Sequence, residues 1–221
     1  MYIPEIIPES DREATYGKYK DTAAPTTPDL GTYPVLLIVD MTNGFVLDRF
    51  RTGFSRTGIP CAENILTLLR LFREKNLKVI FTKDMTGDDI QYSIHRGAWN
   101  NKSKPISEND RPDHNRIYSI LSPSNGEMVI EKSKPSAFFG TTLVSILNYL
   151  KATSIIVTGI VTSGCIRATV IDGFSYNHRV FIPVECVADR SQISHEVTLF
   201  DLDLKYAFVL PSKQIVSSIN M

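Results

Sequence analysis

At 221 residues the chain is long enough for one large domain with a well-buried core, and its 43% hydrophobic and 22% charged residues are ordinary for a soluble globular protein. Lysine plus arginine equals aspartate plus glutamate at 24 each, so the formal charge of +0 gives no electrostatic reason to expect a nucleic acid or a membrane as partner. No apolar run approaches the roughly 20 residues that span a bilayer. The acids and prolines of MYIPEIIPES stand where a signal peptide needs a basic start and an apolar core, so the sequence reads as cytoplasmic. Cys61, Cys165 and Cys186 are too few for a disulfide framework and show no CxxC pairing. His95, His114, His178 and His195 lie far apart without ligand spacing, so neither a metal nor another cofactor is expected.

In chain order, residues 1–33 carry prolines at 4, 8, 25 and 28 and little periodicity, which reads as an extended N-terminal arm, lying on a neighbouring subunit or frayed. Residues 34–221 read as one domain. The continuous apolar run 35–39 predicts a strand covered on both faces. Residues 62–75 repeat apolar side chains at helical spacing and stop at Lys75-Asn76, and 78–82 form the next strand. A long polar connection follows over 84–125, with short helical pieces around 117–121. The turn Ser124-Asn125-Gly126 leads into a third strand at 128–130, then a helix over 141–150 with threonines available as caps. Strand four at 155–158, a helix over 165–176, strand five at 179–183, a helix over 193–205 and strand six at 207–210 complete the alternation. Strands and helices alternating at this interval predict an α/β fold: a doubly wound, six-stranded, mainly parallel sheet with helices on both faces.

In open parallel sheets, ligands bind beyond the carboxyl ends of the strands. Strand one runs into Asp40, strand three into Glu131 and Lys132, and strand four through Gly159 into the loop that carries Cys165. An acid, a cation and a thiol are thus delivered to one edge. A lone cysteine is usually a small buried hydrophobe, and that reading holds for Cys61 and Cys186. Cys165 stands at an expected helix start, where orphan amides and the helix dipole favour a thiolate and could hold an oxyanion. Gly164 before it offers no side chain to shield it. Asp40 either caps a turn or serves as general acid and base. Lys132 is either a surface charge in Glu131-Lys132-Ser133-Lys134 or the group between Asp40 and Cys165, and spacing alone does not choose it over Lys134. Arg190, past strand five, either grips a substrate carboxylate or pairs with Asp189 or Glu185. Ser163 and Thr162 have no histidine near them in sequence to activate them as nucleophiles.

Three motifs together resemble a known family: Val39-Asp40-Met41 with Asn43-Gly44-Phe45, Lys132 with Ser136-Ala137-Phe138-Phe139-Gly140-Thr141, and Thr158-Gly159-Ile160-Val161-Thr162-Ser163-Gly164-Cys165. They resemble the isochorismatase-like cysteine hydrolases from about residue 33 to about residue 216. Within that superfamily Cys165-Ile166-Arg167-Ala168-Thr169, Glu185-Cys186-Val187-Ala188-Asp189-Arg190 and residues 195–206 look most like the N-carbamoylsarcosine amidase branch. The resemblance implies a catalytic Asp40, Lys132 and Cys165, which chooses Lys132 over Lys134. It also implies a cis peptide at Ile160-Val161 that turns the Val161 amide toward the Cys165 amide as an oxyanion hole, and a substrate-binding Arg190. Two departures stand out. The Asp-x-His metal motif of nicotinamidases reads Asp84-Met85-Thr86, and the commoner Asp-Met-Gln reads Asp40-Met41-Thr42. The expectation is a cysteine amidohydrolase cleaving a linear carbon–nitrogen bond of a small carboxylated amide or N-carbamoyl compound, releasing ammonia through a thioester, in a dimer or tetramer. A vinyl-ether hydrolase and a catalytically idle binding scaffold of the same fold are the alternatives.

Overall fold

The run Pro34–Val39 is buried at every position, as a strand covered by helices on both faces must be. This strand, β1, lies at the centre of the sheet in a computed structural model that describes residues 2–19, 28–102 and 104–220. On one side of it stand β2 (Lys78–Asp84) and then β3 (Met128–Lys132); on the other stand β4 (Ser154–Ile160), β5 (Arg179–Pro183) and β7 (Phe208–Leu210). Two-residue β6 (Val187–Ala188) lies off this path and pairs with the last residues of β4, Gly159 and Ile160. Every pairing between these strands is parallel. The sheet is therefore the expected parallel one, with one short strand more than the six predicted. Val187 and Ala188 are too few to show a period.

Alternation along β1 splits the core. Leu36 and Ile38 pack with Val46 of the one-turn α2 (Asn43–Val46), with Ile65, Leu68, Leu69 and Phe72 of α3 (Ser55–Glu74), and with Ile215 of α9 (Ser212–Asn220). Val35, Leu37 and Val39 face the opposite layer. That layer is built from α6 (Leu143–Tyr149), α7 (Arg167–Ser175) and α8 (Gln192–Lys205) through Leu143, Leu147, Val170, Leu199 and Leu202. Each large aliphatic side chain buried this way contributes roughly 1.5–3 kcal/mol.

Several boundaries differ from the sequence reading for identifiable reasons. Helix α3 begins at Ser55, seven residues before the expected 62, because its cap is not local. Asp48 Oδ1 accepts from the Ser55 N–H at 2.7 Å, and Ser55 Oγ accepts from the Asp48 N–H at 3.1 Å. The expected extended arm contains a helix, α1 (Glu9–Tyr19), started by two acids in its first turn and by the Pro8 carbonyl, which accepts from the Asp11 and Arg12 N–H groups. Residues 20–27 of that arm lie outside the described residues. Around the arm, the Tyr2 N–H reaches Asp203 Oδ2, and the Leu30 carbonyl takes the hydroxyls of Thr153 and Ser154. Beyond β2, the chain forms α4 (Asp89–Arg96) and the one-turn α5 (Arg111–His114), neither of which its sparse apolar pattern suggested. Buried Arg111 sews this segment together, its guanidinium reaching the Gly87 and Ile106 carbonyls and Asp89 while stacking 3.9 Å from the centre of the Tyr92 ring.

Gly159 decides how closely β1 and β4 approach. It pairs with Val39 at φ 118°, and a Cβ there would sit 2.8 Å from the Val39 carbonyl carbon and 2.9 Å from its nitrogen. Gly126, at φ 88°, has nothing within 4 Å of the same position. Gly159→Ala should therefore lose well over about 2 kcal/mol, and Gly126→Ala only the left-handed backbone cost of about 1–2 kcal/mol. Urea unfolding of the two variants checks this; equal losses would refute the close-approach account.

Candidate active site

Asp40 directly follows β1, with φ 54° and an N–H that still bonds the Thr82 carbonyl of β2 at 3.1 Å. That left-handed step ends the strand and turns the carboxylate inward. Thr82 Oγ1 donates to Asp40 Oδ1 at 2.8 Å, and Lys132 Nζ lies 2.6 Å from Oδ2. Lys132 is the last residue of β3, two strands away, so only a side chain as long as lysine reaches across the end of β2. Its ammonium also donates to the Lys134 carbonyl at 3.1 Å and lies 3.6 Å from Cys165 Sγ. Three N–H bonds thus meet three acceptors. Asp40, Lys132 and Cys165 are 2%, 5% and 5% exposed, so all three meet in an almost closed space. Cavity size alone would have pointed elsewhere: the clefts of 410 Å³ beside Arg111 and 670 Å³ beside Arg73 are lined by none of the three.

The electrostatics correct one expectation. Cys165 does not open a regular helix; it lies in the wider turn Thr162–Ile166, where the Val161 carbonyl accepts from the Gly164 N–H at 3.0 Å and, five residues on, from the Ile166 N–H at 3.2 Å. Helix α7 begins only at Arg167. Burial pushes the Cys165 thiol up to about 12; Lys132 opposes this and Asp40, within hydrogen-bonding reach of the sulfur, adds to it. The resting group is a neutral thiol beside a carboxylate and an ammonium. For Lys132, burial pulls downward, but the Asp40 carboxylate, Cys165 and Asp84 outweigh it and leave the ammonium above its ordinary range. Cys61 and Cys186 are also pushed up by burial, with Cys186 adding to it for Cys61 and Glu185 for Cys186. Gly164 has a packing reason as well as a steric one, since a Cβ there would stand 2.9 Å from Val161 Cγ2.

Behind the triad, Asp84 of β2 accepts from the Tyr92 hydroxyl at 2.7 Å and lies 3.8 Å from Arg96. Burial raises its pKa, Tyr92 opposes, Asp40 adds, and Lys132 and Arg96 oppose. Arg96 lies over the Tyr92 and Trp99 rings at 5.3 and 4.9 Å. Lys134 Nζ donates to the Arg96 carbonyl at 2.8 Å, so the two lysines left open by spacing have different partners. Sequence reasoning missed Thr82 and Asp84. Their signal was faint: Thr82, Lys83 and Asp84 close a strand whose apolar middle is Val79-Ile80-Phe81, at the edge where Asp40 emerges.

The peptide bond between Ile160 and Val161 is cis. Arg190 is exposed just beyond β6, and its Nη1 donates to the Thr52 carbonyl at 3.2 Å. It forms no ion pair with Asp189 or Glu185 among the described residues. Asp189 is taken up by Ser163 and by the Arg190 and Ser191 N–H groups, and Glu185 Oε2 accepts from the Ser212 N–H. Thr42 is buried, with no partner for its Oγ1 among the described residues. No cluster of three His, Cys, Asp or Glu side chains is placed to hold a metal, and no helix is long and apolar enough to cross a membrane, both among the described residues.

Against known proteins, the family model described as "Isochorismatase domain" matches residues 34–214. The chain is 29% identical over 205 residues to a maleamate amidohydrolase of Pseudomonas putida, covering 86% of this chain and 88% of that protein. It is 28% identical over 194 residues to an N-carbamoylsarcosine amidase of an Arthrobacter species, covering 86% and 72%. Among solved structures, a cysteine hydrolase from Pseudomonas syringae pv. phaseolicola has a TM-score of 0.79 at 19% identity, covering 89% of this chain and 97% of that one. N-carbamoylsarcosine amidase from Thermoplasma acidophilum has 0.69 at 24%, covering 82% and 97%. These two likenesses show a shared fold.

The neutral thiol makes a pH prediction. With Cys165 at about 12, its labelling by iodoacetamide in the free protein should climb about tenfold per pH unit from pH 7 to 9.5 without levelling. Mass spectrometry of the labelled peptide measures it. A plateau below pH 8 would mean a preformed thiolate and would refute the burial account.

Proposed function

The chain belongs to the isochorismatase family, and from that premise we propose that it is a cysteine-dependent amidohydrolase. Its proposed substrate is a small carboxylated amide or N-carbamoyl compound, cleaved at a linear, non-peptide carbon–nitrogen bond. One observation carries the reading: Lys132 Nζ stands between the Asp40 carboxylate and the Cys165 sulfur, at 2.6 and 3.6 Å. The relatives named above, a maleamate amidohydrolase and an N-carbamoylsarcosine amidase, support the reaction class.

Chemistry follows from the charges. A thiol held neutral by burial needs a base within reach, and Asp40 is that base. As Sγ attacks the substrate carbonyl carbon, the thiol proton moves to Asp40 and the carbonyl π electrons move to oxygen. Lys132 keeps its proton and offsets whichever neighbour carries the negative charge. The Val161 and Cys165 N–H groups are the proposed donors to the oxyanion. Collapse of the tetrahedral intermediate breaks the carbon–nitrogen bond, Asp40 returns its proton to the leaving nitrogen, and ammonia departs from a thioester. Water then attacks, giving its proton to Asp40; the carbon–sulfur bond breaks, and the sulfur recovers that proton as the acid leaves. The balance is amide plus water to acid plus ammonia.

Arg190, at the same sheet edge, is the proposed grip on the substrate carboxylate, through a bidentate pair. Asp84-Met85-Thr86 offers no histidine two residues after Asp84 and disfavours a metal-assisted nicotinamidase reading.

A panel of maleamate, N-carbamoylsarcosine and neutral amides, scored by ammonia release, tests this. Cys165→Ala should lose at least about 10³-fold in kcat/KM on every substrate. Arg190→Ala should raise KM by about 10- to 100-fold on carboxylated amides and leave neutral ones within about twofold. Wild-type turnover by Cys165→Ala would end the nucleophile assignment, and equal losses on neutral and carboxylated amides would end the clamp.

A further inference from the structure

The turn that presents Cys165 is of the wide, five-residue type: the Val161 carbonyl accepts from the Gly164 and Ile166 N–H groups, and the Arg167 N–H beyond it reaches the Gly164 and Thr162 carbonyls. Side chains from elsewhere in the chain are fastened to it as well. Ser163, two residues before the thiol, donates both its N–H and its Oγ to Asp189 Oδ2, at 2.8 and 2.7 Å. The other oxygen, Asp189 Oδ1, accepts from the Arg190 N–H at 2.7 Å and the Ser191 N–H at 3.4 Å. Thr162 Oγ1 lies 2.8 Å from Nδ1 of His195, on α8. Asp189 follows directly on β6, whose pairing with Gly159 and Ile160 brings it beside Ser163. Its carbonyl is tied in turn to Thr57 Oγ1 of α3 at 3.0 Å. Asp189 at the β6 end and His195 of α8 thus converge on the two residues before Gly164, and Thr57 of α3 braces Asp189.

A threonine 2.8 Å from a histidine also has the geometry of an activated nucleophile. Burial excludes that use: Thr162 is 0% exposed. Ser163 is exposed, but its hydroxyl is committed to a carboxylate and not to a histidine. Both hydroxyls are fasteners.

We infer that Asp189 and His195 are positioning residues that hold the turn Thr162–Ile166, through Ser163 and Thr162, and so set where the Cys165 sulfur and N–H stand. This rests on Cys165 being the nucleophile. Asp189 has a second consequence: one carboxylate fixes both Ser163 and the backbone of Arg190, so the nucleophile and the proposed clamp share a rigid mount. Neither residue touches substrate in this role.

The experiment compares Asp189→Asn, His195→Ala, Thr162→Val and Thr162→Ser with the parent. It reads kcat and KM on the best amide, the iodoacetamide labelling rate of each cysteine at one pH, and the melting temperature. Asp189→Asn turns an N–H donor toward one pair of donors and should cut kcat by at least about tenfold. His195→Ala and Thr162→Val should each cut kcat by about five- to tenfold, and the double variant by no more than either alone. Thr162→Ser, which keeps the hydroxyl, should restore kcat to within about twofold. Cys165 labelling should change by at least about threefold in the impaired variants, with Cys61 and Cys186 unchanged. Should Asp189→Asn fail to fold, the Thr162 variants alone decide the matter. Unchanged kcat and Cys165 labelling in folded variants would overturn the inference, as would additive effects of His195→Ala and Thr162→Val. Labelling needs no substrate, so it judges the inference separately from the proposed function, whose own failure would be ammonia release by Cys165→Ala.

Discussion

The buried contact between Lys132 and Asp40 is the constraint around which the site is arranged. Two charges withdrawn from water cost several kcal/mol each unless their partners are well placed. Here they are: Asp40 takes Thr82 and Lys132, and Lys132 takes Asp40, the Lys134 carbonyl and the Cys165 sulfur. The strand order demands a long side chain, because β3 lies two strands from β1. A short cation at position 132 would leave a buried carboxylate unpaired.

The same pair explains why the thiol can be so deeply enclosed. Burial alone drives Cys165, Cys61 and Cys186 in one direction, toward the neutral form. What separates Cys165 is its company, a cation at 3.6 Å and a carboxylate within reach. In the proposed reaction, a neutral thiol beside a carboxylate gives up its proton only when an electrophile arrives, which would protect it from adventitious alkylation and oxidation. Closeness of β1 to β4 matters for the same reason. Gly159 lets the strand that ends in Asp40 lie directly against the strand that leads to Cys165.

Much of this was legible in the chain. The buried strands announced themselves as apolar runs, and the rule that ligands gather at carboxyl strand ends brought Asp40, the stretch Glu131-Lys132-Ser133-Lys134 and the loop of Cys165 to one edge before any comparison. Motif resemblance chose between Lys132 and Lys134, and the hydrogen bond from Lys134 to the Arg96 carbonyl is the physical distinction that spacing lacked. Less legible were elements whose stability is not local. Helix α3 starts where Asp48 caps it, α1 has a weak apolar stripe, α4 starts at the Asp88 cap and buries Tyr92 and Arg96 while Ile90 and Ile94 stay exposed, and β6 is two residues long.

What the sequence by itself determined was periodicity and chain order: which stretches are strands, and which functional side chains those strands carry to one edge. Only the tertiary structure decided the electrical state of the thiol, because burial and distances to charges belong to no single segment. It alone also brought Asp189 and His195, 24 and 30 residues beyond Cys165 in the sequence, against the turn before it. No local pattern marks such contacts, since a carboxylate after a short strand and a histidine on a helix become fasteners only when the sheet is folded.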